Sequence, residues 1–377
     1  MNEVERLVSQ LCPDGVPMFK LGELEDNKLL KLGRGDVISK NDLNDSPGIF
    51  PVYSSSATSN GTFGRYGKYM FDDERITWSI DGGGKFFHRP IHKYSVTNVC
   101  GWLKVVQSEK LITKYVYYVL ISAWGGRTYN YTVKAHPSVI REDYLIPLPP
   151  IEVQREIVRI LDTFTELEAE LEAELEARKT QYSEFLKSTF NFPDRDEVRW
   201  GAIGEVCSTF SGAFVKKTEQ DDDFEYPVFN GGSTATGYYS EFNSPENSIA
   251  ISARGSIGAV NWVPTKFWAG NSCHVVLATD PELNNRFLYH YLKFHEPSLY
   301  ALRAVGSIPA LNLKPLLKYL VPLPPLETQI KISGVLDKFE TLISDISIGL
   351  PGEIAARRQQ YEYYRDKLLT FRNLEVA

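Results

Sequence analysis

Two glycine-rich segments carry the side chains best suited to meet a phosphate or a base. They are Asp81-Gly82-Gly83-Gly84-Lys85 and Arg254-Gly255-Ser256-Ile257-Gly258, each directly after an apolar, strand-like run. Glycine lets a backbone approach a phosphate or a groove closely, and the same composition also makes a hairpin turn; both readings stand for the glycines themselves. Arg254 aligns with Asp81, so one segment offers a guanidinium that can pair with guanine and the other an acceptor suited to cytosine's amino group, unless both are ordinary turn side chains. Residues 82–141 carry nine basic side chains (Lys85, Arg89, Lys93, Lys104, Lys110, Lys114, Arg127, Lys134, Arg141) against Glu109 alone. Such a local surface favours polyanions. Within it, the run from Arg127 to Lys134 sets two tyrosines and Asn130 on alternating positions, as DNA contact or an exposed aromatic strand would. The candidate DNA contacts are Arg65, Lys68, Asp81, Lys85, Arg89, Arg127, Asn130 and Lys134, then Lys216, Arg254, Ser256, Lys266 and Arg303. Lys216, beside Lys217 and Asp221-Asp222-Asp223, also reads as part of a solvated loop.

Catalytic chemistry has little to work with. There is no Asn-Pro-Pro-Phe-like methyl-transfer tetrapeptide, and Asp81 to Lys85 lacks both the upstream glycine and the following Ser/Thr of a Walker A loop. His88, His92 and His136 have no ligand spacing, and His274 beside Cys273 does not make a site. Cys12, Cys100, Cys207 and Cys273 contain no close pair, which gives neither a zinc spacing nor a disulfide framework and points to buried thiols. No catalytic residue, metal or cofactor is expected. With 377 residues, 24% charged and 43% hydrophobic, the chain has the composition of a globular protein large enough for two domains. Apolar runs such as Tyr115 to Ser122 stop short of the roughly 20 residues of a membrane span, and Met1-Asn2-Glu3 lacks a signal peptide's basic end, so a cytoplasmic location is expected.

The elements that must position these residues come in two copies. Leu21-Gly22-Glu23-Leu24 recurs as Ile203-Gly204-Glu205-Val206, and Pro51-Val52-Tyr53 as Pro227-Val228-Phe229. Ile76 to Cys100 matches Ile249 to Cys273 at a constant offset of 173, and Leu148-Pro149-Pro150 with Gln154 returns as Leu323-Pro324-Pro325 with Gln329. Short β-rich runs broken by Gly, Pro and Asn give each copy an α+β body. After each Leu-Pro-Pro the apolar spacing turns helical: Ile157, Ile160, Phe164, Leu167, Leu171, Leu175, Tyr182 and Phe185 form one stripe, on a helix of about 39 residues or ~58 Å. The second helix meets Gly349-Leu350-Pro351-Gly352, where a kink or a restart near Pro351 is expected. Net charge is −7, and residues 151–198, with 6 basic and 13 acidic side chains, hold the whole imbalance. The first helix leads away from the first body and the second returns towards it, so they run antiparallel. The fold expected is α+β, two globular domains in tandem pseudo-repeat separated by a long antiparallel helical coiled coil: 1–150, helix 151–192, 193–325, helix 326–377. Two such bodies match the approximate two-fold symmetry of duplex DNA, and because they differ in sequence their half-sites need not be palindromic.

The opening Leu11-Cys12-Pro13-Asp14-Gly15-Val16, the paired Leu-Pro-Pro segments with Gln154 and Gln329, and the run from Glu353 through Tyr361-Glu362-Tyr363-Tyr364-Arg365-Asp366 to Leu369 resemble the specificity subunit of type I restriction-modification systems. The resemblance covers nearly the whole chain. It implies two target-recognition domains on double-stranded DNA, methyltransferase subunits, two in number, docking on the helical spacers, and restriction/translocase subunits joining that complex. The docking candidates are Glu170, Glu174, Arg178 and Tyr182 on the first spacer and Arg357, Arg358, Tyr361, Tyr364 and Arg365 on the second. Arg178 to Phe185 keeps only a partial copy of the terminal tyrosine-rich pattern, a departure that sets the two docking faces apart. The alternative is a protein-binding scaffold with two adaptor domains spaced by the coil. Against it, residues 251–318 repeat the basic excess, with seven basic to three acidic side chains.

Overall fold

The computed structural model describes residues 3–55, 60–125, 129, 134–192, 198–304, 309–344 and 349–374. The chain divides into two compact units, Met1–Leu171 with Ile354–Ala377, and Glu172–Glu353.

Unit 1 runs α1 (Glu3–Leu11), β1 (Met18–Lys20), α2 (Leu21–Asp26), β2 (Leu30–Arg34), α3 (Lys40–Asp45), β3 (Phe50–Tyr53), β4 (Thr62–Tyr66), β5 (Arg75–Ser79), β6 (Phe86–Arg89), β7 (Ser95–Val96), β8 (Cys100–Val105), α4 (Thr113–Trp124), α5 (Pro137–Asp143), β9 (Leu145–Pro147) and the first half of α6 (Ile151–Phe190). Its strands form a four-stranded sheet in the order β2-β8-β5-β6, a three-stranded sheet β4-β3-β7 and the pair β1-β9. Every residue of β5, Arg75-Ile76-Thr77-Trp78-Ser79, is buried, as a central strand covered on both faces should be. Ile76, Trp78 and Leu103 pack against Tyr115, Val116 and Val119 of α4 and against Val153, Ile157 and Leu161 of α6, so the first turns of the spacer helix belong to the core.

Unit 2 repeats this plan. It contains the rest of α6, then β10 (Arg199–Ala202), α7 (Ile203–Val206), β11 (Cys207–Ser211), a 3-10 turn (Lys217–Glu219), β12 (Tyr226–Phe229), β13 (Tyr238–Tyr239), β14 (Ser248–Ser252), β15 (Val260–Val263), β16 (Trp268–Ala269), β17 (Cys273–Ala278), α8 (Asn285–Phe294), α9 (Glu296–Ala301), α10 (Leu313–Leu317), β18 (Leu320–Leu323) and α11 (Leu326–Ser344). The sheets are β11-β17-β14-β15, β13-β12-β16 and β10-β18, strand for strand the orders of unit 1. The offset of 173 read from the sequence is a shared register: Ser79 pairs with Cys100, and Ser252 with Cys273. The strand pairs β3-β7 and β12-β16 are both parallel.

α6 is a single helix of 40 residues. Lys179–Glu176 and Lys187–Glu184 pairs, both at 2.8 Å, lace its acidic surface. The second spacer is two helices. α11 ends at Ser344 and α12 (Leu350–Leu369) restarts with Pro351 in its first turn, where proline's missing N–H costs no hydrogen bond. In unit 1, Phe164 of α6 meets Tyr361 and Tyr364 of α12, and Glu168 pairs with Arg358, so residue numbers rise on one helix as they fall on the other. This is the antiparallel pairing that connectivity requires. In unit 2, Tyr182 and Phe185 of α6 pack on Phe339 of α11. Among the described residues, no helix is long and apolar enough to cross a membrane.

Candidate nucleic-acid interface

In each unit, loops distant in sequence meet at one end of the four-stranded sheet. In unit 1 the Ser79 hydroxyl donates to Ser55 O (2.6 Å) and accepts from Gly82 N (2.8 Å), which ties the 53–55 loop to the β5-β6 hairpin. Ile80 N donates to Val99 O (3.0 Å), Thr97 N to Tyr53 O (2.9 Å) and Ala135 N to Ile80 O (3.0 Å), which brings in the 96–99 and 134–136 segments. Gly35, just after β2, closes the set by donating to Cys100 O (3.1 Å). Unit 2 makes corresponding bonds, again with a serine hydroxyl at the strand end. Ser252 Oγ donates to Gly232 O (2.9 Å), Ala253 N to Ser272 O (2.8 Å), Leu311 N to Ala253 O (2.9 Å) and Gly212 N to Cys273 O (2.9 Å). The glycine-rich segments are therefore hairpin turns, and Gly83, Gly84, Gly255 and Gly258 take positive φ there. They also form the rim of a multi-loop surface, so the turn reading and the contact reading describe the same residues.

The candidates divide between this surface and other places. Arg254 and Ser256 are exposed on the unit 2 hairpin, and Ser256 N donates to Gly231 O (3.0 Å) of the neighbouring loop. No hydrogen bond or ion pair engages the Arg254 guanidinium among the described residues. Asp81, its counterpart, is half-buried and paired with Lys134 (3.0 Å). Lys85 lies on the same hairpin with its ammonium 5.4 Å from the Phe87 ring. Arg65 and Lys68 are exposed on and after β4, Arg65 donating to Ile49 O (2.8 Å). Lys216 is exposed before the 3-10 turn, its backbone N–H donating to Glu219 (3.0 Å). Lys266 sits 4.6 Å over Phe242, and Arg303 3.8 Å over Tyr300. Arg127 and Asn130 lie outside the described residues.

Arg89 is a correction. It is 5% exposed, its guanidinium 3.5 Å over the Tyr53 ring and donating to Thr77 Oγ1 (2.9 Å) and Asn60 O (2.8 Å), and burial lowers its pKa. A side chain with its donors turned inward packs the fold and is not available to a phosphate. The basic excess of 82–141 is also thinner on the surface than in the sequence because acids from outside it pair with several of its cations. Lys104 pairs with Asp73 (2.6 Å), Lys114 with Asp162 (2.7 Å) and Arg141 with Glu25 (3.2 Å) and Asp26 (3.0 Å), acids that lie outside the counted window.

On the spacers, Glu170 is exposed, and Glu174 pairs with Arg178 (3.3 Å) one turn on. Tyr182 is half-buried and donates to Glu340 Oε1 (3.4 Å), and burial pushes its phenol pKa up. Arg357 donates to Gln360 (3.2 Å), and Arg365 to Asp366 (2.9 Å). Tyr361, Tyr364 and Arg358 face α6 as described above, so these docking candidates also hold the helix pair together. Tyr363, 62% exposed, points away from that pairing. The spacing of three between Tyr361 and Tyr364 was the signal that leaves Tyr363 on another face.

Sequence reasoning missed what joins body to spacer. Gln154 is fully buried: Oε1 accepts from Ile112 N (3.0 Å), while Nε2 donates to Lys110 O and Pro149 O (both 2.9 Å). Gln329 does the same with Asn284 N (2.8 Å), Glu282 O and Pro324 O (both 2.7 Å). About two turns further on, Asp162 accepts from Lys114 (2.7 Å) and Tyr118 (2.6 Å), and Asp337 from Arg286 (2.6 Å) and His290 (2.7 Å). His290, Asp337 and Glu340 are close enough to ligate one cation, but Arg286 already donates to both carboxylates and supplies the balancing charge.

The geometry is that of two like bodies on helical spacers, and the comparisons with known proteins agree with it. A family model described as type I restriction modification DNA specificity domain matches residues 13–177 and again 196–356. The EcoR124I/EcoR124II specificity subunit of Escherichia coli is 31% identical over 312 residues, covering 73% of this chain and 76% of its own. A Mycoplasma pneumoniae protein named as type I specificity subunit S.MpnORF507P is 29% identical over 366 residues, covering 93% and 96%. The crystal structure of a type I restriction-modification S subunit from M. genitalium superposes with a TM-score of 0.66 at 18% identity, covering 94% of this chain and 96% of that one, which shows the shared fold. Two matched domains, together spanning most of the chain, and a relative 31% identical over about three quarters of each chain leave one assignment: the chain belongs to the family of type I restriction-modification DNA specificity subunits.

Proposed function

We propose that this chain selects a bipartite, non-palindromic double-stranded DNA target, each body reading one half-site through its loop cluster, and that methyltransferase subunits, two of them, dock on the helical spacers, with restriction/translocase subunits joining the complex. The target-recognition domains are 1–150 and 193–325, with spacers 151–192 and 326–377. One observation carries the reading: the two loop clusters share their backbone bonds yet differ at equivalent tips, Asp81 paired with Lys134 in one and, in the other, Arg254, exposed and with no hydrogen bond or ion pair on its guanidinium among the described residues. A frame kept while its tips change is what reading two different sequences requires. Asp81, Lys85, Lys134, Arg254 and Ser256 are proposed at base edges or adjacent phosphates, with Arg65, Lys68, Lys216, Lys266 and Arg303 on backbone phosphates. Arg254→Ala in the complex with methyltransferase subunits should relax one base position of one half-site and leave the other half-site intact. Methylome sequencing of cells carrying the variant reads this directly; an unaltered motif would remove Arg254 from the interface.

A further inference from the structure

We infer that Val37 and Phe214 are a matched pair of apolar base-reading residues, each meeting a thymine methyl group in the major groove of its half-site; this rests on the reading that the loop clusters face DNA. Val37 is 77% exposed and Phe214 66%. A single apolar side chain in water is ordinary. Here the exposure recurs at equivalent positions of two copies whose sequences have diverged, on a loop that is held rather than loose. In unit 1, Gly35 is bonded to Cys100 O, Asp36 bridges to Thr97, and Trp102 Nε1 donates to Arg34 O (3.0 Å). In unit 2, Gly212 is bonded to Cys273 O, Ala213 N donates to Ala269 O (2.9 Å), and Trp268 Nε1 donates to Ala213 O (3.0 Å). A Cβ at Gly35 would stand 1.9 Å from Val96 O, and one at Gly212 2.2 Å from Ala269 O, so each loop is pressed onto the sheet before its tip turns out. After the tip, the next apolar residue, Ile38 or Val215, turns back inward, and a Ser39–Asp42 or Lys216–Glu219 cap ends the loop.

The neighbours say what covers these tips. Lys40 follows Val37, and Lys216 and Lys217 follow Phe214; all three are exposed. Glu219, the nearest acid after Phe214, turns its carboxylate back onto the Lys216 backbone N–H. The Phe214 loop is also continuous with the Arg254 hairpin. Gly270, next to the Ala269 that anchors it, donates to Phe229 O (2.8 Å), Asn230 Oδ1 accepts from Ser272 N (3.1 Å), and Ala253 N donates to Ser272 O. A rigid apolar tip beside Lys216 and Lys217, as at Phe214, fits a groove whose walls are phosphates and whose floor offers one apolar group, the 5-methyl of thymine; Val37 holds the equivalent position between the exposed Asp36 and Lys40.

The test uses the complex with its methyltransferase subunits, on duplexes carrying the motif that methylome sequencing assigns to the wild type. Phe214→Ala should lower the preference for that duplex over mixed sequence about tenfold, the loss one mismatched base pair causes. The salt dependence should be unchanged, because no phosphate contact is lost. Deoxyuridine in place of one thymine of the same half-site should reproduce the loss in the wild type and add nothing to Phe214→Ala. Val37→Ala should do the same at the other half-site, and Phe214→Leu, which keeps an apolar tip, should retain most of the preference. Both positions are exposed, so melting temperatures should not move. Unchanged preference in Phe214→Ala and Val37→Ala, or indifference to deoxyuridine at every thymine, would overturn the inference. A wild-type complex with no sequence preference would instead overturn the DNA-reading function itself.

Discussion

Gln329→Leu should unfasten one body from its spacer. Leucine occupies nearly the volume of glutamine, so the substitution opens no large cavity, and its cost is almost wholly polar. Three hydrogen bonds of 2.7 to 2.8 Å disappear from a fully buried site. Each contributes about 1 kcal/mol net, and the Asn284 N–H left without its acceptor adds a desolvation penalty of about 1 kcal/mol or more, for a total of about 4 kcal/mol. Against a domain stability of roughly 5–15 kcal/mol this is a large fraction. Asn284 is also the N-cap of α8, its side chain accepting from Phe287 N, so the loss reaches the helix that packs on β15 and on α11. Gln154→Leu makes the mirror experiment in unit 1, exposing Ile112 N at the N-cap of α4. Hydrogen exchange read peptide by peptide separates the two. Gln329→Leu should accelerate exchange in α8 and the start of α11 while leaving α4 protected, and Gln154→Leu should do the reverse. A destabilisation below about 1 kcal/mol in both variants, or equal acceleration in both units from either one, would refute the idea that each glutamine clamps its own body.

Arg89→Leu should lower the stability of unit 1 by about 2 kcal/mol, the worth of hydrogen bonds made by a charged group, yet leave the salt slope of DNA binding unchanged; urea denaturation and a salt titration measure the two. Burial lowers the pKa of His274, His290 and His295 below the ordinary 6.5, so their neutral forms are favoured in the fold. Their contribution is then complete above pH 6.5 and is lost as pH falls through the lowered values, so unit 2 should lose stability on going from pH 7.5 to 5.5, and His290→Gln should flatten that slope in thermal melts. Deleting the chain from Phe371 onward removes the bonds of Arg372 O to Val16 N (2.9 Å) and of Leu374 N to Val16 O (3.1 Å), and should increase hydrogen exchange around α1 and Val16 without affecting unit 2.

The repeat was legible because the offset of 173 holds across β5 and β8, whose register the sheet fixes, while β15 stands at 174 from β6, one residue added in the second hairpin. The helical spacers were legible from apolar spacing after each Leu-Pro-Pro, and the restart at Pro351 from proline's geometry. Charge was read less well, because counting charges along a window says nothing of their partners: Arg89 turned inward onto Tyr53, and Lys114 and Arg141 were met by Asp162, Glu25 and Asp26 from outside the window. Val37 and Phe214 escaped notice because the offset there is 177 and not 173, a difference made up by shorter loops in the second copy, and no periodic pattern marks a single exposed tip. Gln154 and Gln329 were visible as a recurring letter, but a letter does not disclose that both ends of an amide are spent on backbone atoms of another segment.

The two copies also show which differences the frame tolerates. At the body-to-spacer clasp, one aspartate meets Lys114 and Tyr118 in unit 1 and Arg286 and His290 in unit 2, so the position of the acceptor is held while the donors change. At the loop cluster the backbone bonds from Gly35 and Gly212, Ile80 and Ala253, and Ala135 and Leu311 recur, while the side chains beyond them differ in charge and size. Backbone bonds do not depend on side-chain identity, so tips such as Asp81, Arg254, Val37 and Phe214 can be exchanged at small cost to stability; surface substitutions of this kind usually stay within about 0.5 kcal/mol. A body built this way can change what it reads without changing how it folds. Grafting residues 253–259 onto 80–85 should therefore give a folded chain with a shifted first half-site, since both hairpins leave the same strand position and the seven grafted residues return to Phe86 as they do to Val260, one residue more than unit 1 uses.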